Sequence, residues 1–170
     1  MIKSARTLSV AASFALFFAT GLLLATSRKE TPLQTEDTNG REEIEAFNKN
    51  YLEAHRKMDN AAIMATWAED GVSLLPLTAP IIGKAAIDKF LTEVTAQLAG
   101  YRMETIEMDF QGLEVDGNWA SEWAVEHQRV QPPDGKAVID SYGKMLLVLH
   151  REPSGRWLVK REMWNQGQKP

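Results

Sequence analysis

The spacing of apolar residues changes once along the chain, near residue 101. Before that point apolar residues recur every three or four positions, as on one face of a helix, and after it apolar and polar residues alternate, as in a strand. A group of helices followed by a run of strands indicates an α+β domain in which the helices cover one face of an antiparallel sheet. We therefore predict this fold class.

Three helices are predicted in the first half of the chain. The first begins near Gly40, and the second spans residues 60–68, with Asp59 as its N-cap and Trp67 on its inner side. The third spans residues 84–98 and has the most regular helical period in the chain, carried by Ile87, Phe90, Leu91, Val94 and Leu98.

The predicted strands are a short one at residues 72–75 and four longer ones after Tyr101. Turn motifs Pro132-Pro133-Asp134-Gly135 and Pro153-Ser154-Gly155 separate the last three runs, residues 119–129, 138–149 and 156–164. Loops of this kind join consecutive antiparallel strands. A strongly twisted sheet of four to six strands, wrapped against three helices, is expected to leave a hollow between the two layers.

The first 27 residues differ from the rest of the chain. Lys3 and Arg6 precede an apolar run at residues 8–25, which ends in the small residues Ala25-Thr26-Ser27. This pattern is typical of a cleaved signal peptide, but the run also approaches the ~20 residues that span a bilayer. Three alternatives stay open: export with cleavage, an uncleaved membrane anchor, or a buried helix. The first two predict a periplasmic, secreted or membrane-tethered domain at residues 40–166, after a linker at 28–39 and before a tail at 167–170.

The amino-acid composition argues against several classes of function. The chain has no cysteine, which excludes disulfides, thiolate chemistry and acylation as a lipoprotein. Its formal charge of −4 and the lack of a basic cluster argue against nucleic acid as a partner. His55, His127 and His150 fall on different predicted elements, and no phosphate-binding loop is present. We expect neither a metal nor a cofactor.

Candidate catalytic residues lie on the predicted strands. Glu126 and His127 are neighbours and point to opposite faces, so whichever faces the hollow would act as a general base; the alternative is a solvated Glu126 and a packed His127. Asp140 and Lys144 share one face with Tyr142 between them. They would either orient a polar ligand or form cross-strand ion pairs on the surface.

Two further groups are candidates for the wall of the hollow. Tyr51 and His55 lie one turn apart on the first helix, although a histidine near a helix end also serves to bind a carbonyl oxygen. On the last strand Trp157 is expected to pack under the helices, which by alternation brings Arg161 and Asn165 towards the hollow. A single bulge would reverse that assignment.

Several short motifs, in their order and spacing, resemble the NTF2-like superfamily, in particular its SnoaL-like (DUF4440) group. The features that carry the resemblance are Tyr51, Asp59, Trp67-Ala-Glu-Asp70, Val72-Ser-Leu-Leu-Pro76, Ile82-Gly83-Lys84-Ala85-Ala86-Ile87, Asp140-Ser-Tyr-Gly143-Lys144, Gly155-Arg-Trp157-Leu-Val159 and Glu162-Met-Trp-Asn165. The resemblance covers roughly residues 41–165. The resemblance implies a small cone-shaped α+β domain with a pocket between sheet and helices, and often a dimer through the outer face of the sheet. A shared fold does not by itself specify a reaction.

Three functions are compatible with this sequence. The first is binding of a small, mostly apolar molecule in a pocket walled by Tyr51, Trp67, Phe90, Tyr142 and Trp157, with Lys144 and Asn165 orienting its polar end. The second is an enzyme resembling ketosteroid isomerase or the polyketide cyclases, in which a carboxylate moves a proton beside a carbonyl group. The third is a homo-oligomerisation module that uses the outer face of the sheet.

Overall fold

The computed structural model describes residues 38–169, with the side chain of Asp134 left out. The helices are α1 (Thr38–Arg56), α2 (Asn60–Ala65) and α3 (Lys84–Gln97), with a short 3-10 turn at Pro133–Gly135. The strands are β1 (Trp67–Leu74), β2 (Ile81–Ile82), β3 (Arg102–Asp116), β4 (Trp119–Gln131), β5 (Ile139–Arg151) and β6 (Trp157–Gly167). The predicted signal peptide or anchor lies outside the described residues.

All six strands form one curved sheet in the order β2-β1-β6-β5-β4-β3. Strands β3 to β6 are consecutive antiparallel neighbours, as the turn motifs predict. The α+β class and the helices packed on a curved sheet are therefore confirmed. The sheet is not wholly antiparallel, however, because β1 pairs with β6 in parallel. None of the helices among residues 38–169 is long and apolar enough to cross a membrane.

The boundary between α2 and β1 differs from the prediction. The helix ends at Ala65, and the amide and hydroxyl of Thr66 both donate to the carbonyl of Ile63. Trp67 then begins a strand of eight residues and does not line a helix. The physical reason is pairing with β6, where the amide of Val159 donates to the Thr66 carbonyl at 2.8 Å. Such a ladder outweighs the local preference of a one-turn helix, which has little stability of its own.

The core lies between α1 and the inner face of the sheet, which is the face that the helices cover. Leu147, Leu149 and Val159 are fully buried there, opposite Ile44 and Tyr51 of α1. Each large side chain buried in this way stabilises the fold by roughly 1.5–3 kcal/mol. Alternation along the strands places residues with the opposite parity on the outer face, which faces away from the helices.

Helix α3 covers less of the sheet than its regular period predicts. It packs mainly on β1, β2 and α2, at one side of the sheet. Only Ile87 is fully buried, whereas Phe90, Leu91, Val94 and Leu98 keep part of their surface accessible. Apolar surface therefore remains available along α3.

Candidate functional site

Three glutamates lie on the inner face of the sheet. Glu122 and Glu126 are four residues apart on β4 and therefore point the same way, and Glu162 lies on β6. Glu122 and Glu126 are 2% and 7% exposed, which is rare for glutamate. An ionised carboxylate in such a place costs several kcal/mol unless it is paired. The hydrogen-bond partners and protonation states of these glutamates therefore determine which chemistry the inner face can support.

Glu162 is held by hydroxyl groups from two other elements. The Tyr51 hydroxyl of α1 donates to Glu162 Oε2 at 3.0 Å, and the Ser73 hydroxyl of β1 lies 3.4 Å from Glu162 Oε1. Burial raises the pKa of Glu162, and these two hydrogen bonds oppose that rise. Burial and the neighbouring Glu162 charge also raise the pKa of Tyr51, so the phenol stays protonated. Burial thus favours the protonated form of both side chains, and the two hydrogen bonds to Glu162 act against this for its carboxyl group.

Glu126 interacts with the indole group of Trp164. The Trp164 side chain donates a hydrogen bond to the Glu126 carboxylate and lies over Gly143, which pairs with Glu126 across β4 and β5. A Cβ atom at Gly143 would come within 2.4 Å of Trp164 Nε1, so only glycine leaves room for the indole. Burial raises the pKa of Glu126 to about 7, and the nearby Glu162 charge adds to the rise.

Glu122 has a partner on α1. Asn48 Nδ2 donates to Glu122 Oε2 at 2.9 Å, and both side chains are buried. Burial raises the pKa of Glu122 to about 7, with the Asn48 hydrogen bond acting in the opposite direction. Glu122, Leu147, Glu162 and Ser73 form one row across four strands, which places the Asn48 contact beside the Tyr51 contact.

Glu126, Glu162 and Tyr51 are equipped for acid–base chemistry. A carboxyl group with a pKa near 7 exchanges a proton readily at neutral pH, and a second, protonated acid beside it donates to a developing oxyanion. The Glu162 charge raises the pKa of Glu126, and the Glu126 charge raises that of Tyr51, so the three groups are electrostatically coupled. Perturbed titration of several neighbouring groups is typical of functional sites.

A bulge reverses the predicted orientation of the last strand. Val148 pairs with Arg161 and Leu149 with Val159, so Lys160 is an extra residue on β6. Beyond it Arg161 and Asn165 are exposed, and the alternate residues of β6 face the helices instead. The expectation that Arg161 and Asn165 line the hollow is therefore wrong.

The other predicted polar residues also lie on the outer face. His127 Nε2 is 2.8 Å from Asp140 Oδ1, and the His127 and Tyr142 rings stack at 4.4 Å. Arg129 approaches Asp140 at 3.3 Å, and Lys144 is exposed on the same face. His127, Asp140 and Tyr142 thus form cross-strand contacts, the alternative that the sequence left open. Of the predicted pair on β4, Glu126 faces the helices.

The remaining predicted wall residues divide between core and groove. Trp67 is buried, and His55 Nδ1 lies 2.8 Å from the Tyr51 carbonyl, with its pKa lowered by burial. Trp157 is buried as predicted, but it borders a groove of about 610 Å³ between α1, α2 and the start of β6. This groove contains none of the three inner-face glutamates, so it is separate from the acid–base site.

Sequence reasoning missed several residues that face the helices or contact the inner-face glutamates, namely Asn48, Ser73, Glu122, Glu162 and Trp164. One signal was available for Glu122. It lies two residues from both Ala120 and Ala124, so it shares a face of the strand with two small apolar residues. Across the described part of the chain, no group of three or more His, Asp or Glu side chains is suited to hold a metal ion.

A family model described as SnoaL-like domain matches residues 44–146 of the chain. Among solved structures, a ketosteroid isomerase-like protein from Erwinia carotovora atroseptica SCRI1043 has 19% identity and a TM-score of 0.65, covering 75% of this chain and 96% of its own. ActVI-ORFA from Streptomyces coelicolor has 18% identity and a TM-score of 0.64, with coverages of 76% and 98%.

An NTF2-like protein of unknown function from Pseudomonas putida KT2440 has 20% identity and a TM-score of 0.62, with coverages of 79% and 91%. A comparison with curated protein sequences finds no match. At these identities the likeness to solved structures shows the fold and leaves the reaction to be argued from the side chains.

Proposed function

The chain belongs to the SnoaL-like domain family, and on this premise we propose that its inner face binds a small, mostly apolar carbonyl compound and moves a proton on the carbon beside the carbonyl group. The observation that carries the proposal is the set of buried acids on that face. Glu126 has a pKa of about 7, and the hydrogen-bonded pair of Tyr51 and Glu162 lies within electrostatic reach of it.

Each acid has a distinct role in the proposed reaction. Ionised Glu126 accepts the proton as the C–H bond breaks, and the electron pair moves to the carbonyl oxygen. A protonated Glu162, the form that burial favours, donates a hydrogen bond to that oxygen, while the Tyr51 hydroxyl holds Glu162 in place. Return of the proton from Glu126 to the same or another carbon completes an exchange or an isomerisation, and no oxidant or co-reactant is needed.

The expected apolar character of the substrate rests on apolar side chains that remain partly accessible. Phe110 of β3 and Trp164 of β6, on the same sheet as these acids, are only partly buried, and so are Phe90 and Val94 of α3. A substrate of similar polarity would bury this surface at about 25 cal/mol per Å². The few polar groups on the inner face would then fix its orientation.

The proposal is tested by incubating the full-length protein in D2O with a panel of enolisable ketones, from monocyclic to tetracyclic, and following deuterium incorporation and double-bond shifts by NMR. We expect at least one ketone to exchange faster than in buffer alone, with the acceleration saturating as the ketone concentration rises. Exchange at the buffer rate for every ketone, although the ketone binds, would rule out proton transfer and leave the binding function.

A specific observation also favours self-association. Trp123, Leu146 and Met163 are direct neighbours across β4, β5 and β6, and all three are more than 40% exposed on the outer face. A contiguous apolar row of this kind is typical of an interface. We therefore propose that this face joins two copies of the chain, in the place that the family resemblance implies.

For this interface, Leu146→Lys is expected to shift the protein from dimer to monomer, because it places a charge at the centre of the apolar row. A central interface residue contributes roughly 2 kcal/mol or more, so the dissociation constant should rise at least about 30-fold. Sedimentation equilibrium measures this change. The matched control is Glu45→Lys, at an exposed residue of α1 away from the outer face of the sheet, which should leave the mass unchanged. A wild-type monomer at all concentrations would refute the interface.

A further inference from the structure

Helix α1 contacts β4 through a buried pair of polar side chains in which two oxygen atoms lack a hydrogen-bond donor. Asn48 Nδ2 donates to Glu122 Oε2 at 2.9 Å, and the two residues are 8% and 2% exposed. The other oxygens of the same groups, Asn48 Oδ1 and Glu122 Oε1, are buried side-chain atoms without a hydrogen-bond partner. Both are acceptors when Glu122 is ionised, so each of these oxygens lacks a donor.

A single proton removes this imbalance. A neutral carboxylic acid has one O–H donor, and an amide presents one acceptor and one donor side by side. With the proton on Glu122 Oε1, the acid donates to Asn48 Oδ1 while Asn48 Nδ2 donates to Glu122 Oε2. Neither oxygen is then left without a partner, and no charge is buried, which avoids a cost of several kcal/mol.

Among the described residues, no cation pairs with Glu122 to stabilise its ionised form. The inner face carries Tyr51 and His55 on α1, Glu126 on β4 and Glu162 on β6, of which three are acids. His55 has its pKa lowered by burial and binds the Tyr51 carbonyl. Arg151 of β5 lies on the same face, but its guanidinium pairs with Glu43 of α1 and lies over the Trp157 ring. The raised pKa of Glu122 has burial as its main cause, and only the Asn48 hydrogen bond opposes it.

The position of Asn48 links this contact to the proposed active site. Asn48 and Tyr51 are three residues apart on α1 and therefore lie on one face of the helix. Asn48 contacts β4 through Glu122, and Tyr51 contacts β6 through Glu162. Two contacts on adjacent turns, reaching different strands, fix the rotation of α1 about its axis.

We propose that Glu122 carries a proton, forms a reciprocal acid–amide pair with Asn48 and thereby positions Tyr51 against Glu162. Glu122 is then a positioning residue and touches no substrate. The role of Tyr51 rests on the proposed function, whereas the protonated pair does not. The two parts are therefore tested by separate measurements.

The protonated state is tested by infrared spectroscopy of the full-length protein. The spectrum of wild type minus Glu122→Gln at pH 5.5 should contain the C=O stretch of one buried carboxylic acid, and the band should vanish as the pH passes about 7. The control is Glu114→Gln, at an exposed glutamate of β3, whose difference spectrum should lack this band. A carboxylate band for Glu122 at pH 5.5 would overturn the proposal.

The positioning role is tested by matched variants of Glu122. Glutamine reproduces the donor and acceptor of the neutral acid, so Glu122→Gln should keep α1 amide-exchange protection and the rate of ketone exchange within about twofold of wild type. Glu122→Ala leaves buried Asn48 without a partner and should lower α1 protection about 10- to 100-fold. The same loss in both variants would overturn the positioning role.

Amide exchange needs no substrate, so this result stands even if no ketone reacts. If α1 protection follows the expected pattern and every ketone fails, the acid–amide pair is supported and the proposed reaction is refuted. If a ketone reacts and Glu122→Gln lowers the rate as much as Glu122→Ala does, the reaction is supported and the neutral pair is refuted.

Discussion

Glu126→Gln is expected to lower the rate of proton transfer by about 10²- to 10⁴-fold, which is the usual contribution of a positioned general base. Glutamine keeps the size of the side chain and can still accept from Trp164, but it cannot accept a proton from carbon. The effect should therefore appear in kcat, with KM nearly unchanged. The measurement is the NMR exchange assay with the best ketone of the panel.

The matched control for this variant is Glu107→Gln. Glu107 lies on β3 near His127, where it is exposed on the outer face. This substitution should leave the rate within about twofold of wild type, as expected for a surface charge. If Glu126→Gln retains full kcat, another group must be the base and the proposed mechanism fails.

The pH profile provides an independent check on the same residue. Because only the ionised carboxylate is a base, kcat/KM should rise with pH through about 7, the pKa of Glu126. Trp164 donates to the ionised form and so lowers this pKa. In Trp164→Phe the rising limb of the profile should therefore move to higher pH. A profile that stays in place would show that the base is not Glu126.

The fold was largely predictable because its signals are local. The helical spacing of Ile44, Phe47 and Tyr51 and the turn motifs between β4, β5 and β6 are each contained in a short stretch of sequence. Trp67 was assigned to the wrong element because its strand pairing is with β6, some ninety positions later. No local pattern contains that information, and tertiary pairing overrides local propensity.

The site was harder to predict because glutamate is normally exposed. Glu122 is buried and Glu162 is partly buried where α1 packs on the sheet. The Asn48 amide and the Tyr51 phenol that bind them are more than seventy residues distant in sequence. The β6 bulge lies at Lys160, whose side chain forms an ion pair with Asp70 of β1, ninety residues earlier in the chain. One extra residue then turns Glu162 inward in place of Arg161.

The burial that raises the pKa values of these acids also lowers the stability of the folded protein when they are ionised. A carboxyl group that is held in an apolar environment stabilises the protein only while it is protonated. Enzymes commonly retain such groups at the expense of stability, because the active site needs them. The cost should therefore be visible as a pH dependence of unfolding in the absence of any ligand.

We expect the protein to lose stability as the pH rises from about 4.5 to about 7. The folded-state pKa values of Glu122 and Glu126 are both about 7, above the value of 4.5 for an exposed glutamate. The folded state therefore binds more protons in this range, and each group should remove about 3 kcal/mol from the free energy of unfolding across it. His55 acts in the opposite direction, because its lowered pKa destabilises the fold as the pH falls.

Urea unfolding followed by tryptophan fluorescence between pH 5 and 8 measures this dependence. The double variant Glu122→Gln/Glu126→Gln has no such protons to lose, so its stability should change far less over the range and should exceed that of wild type at pH 8 by several kcal/mol. The control Glu107→Gln/Glu114→Gln removes two exposed carboxylates and should follow wild type. A wild-type stability that is constant or rises from pH 5 to 8 would mean that the inner-face acids are ionised in the folded protein, and the acid–base site would lose its physical basis.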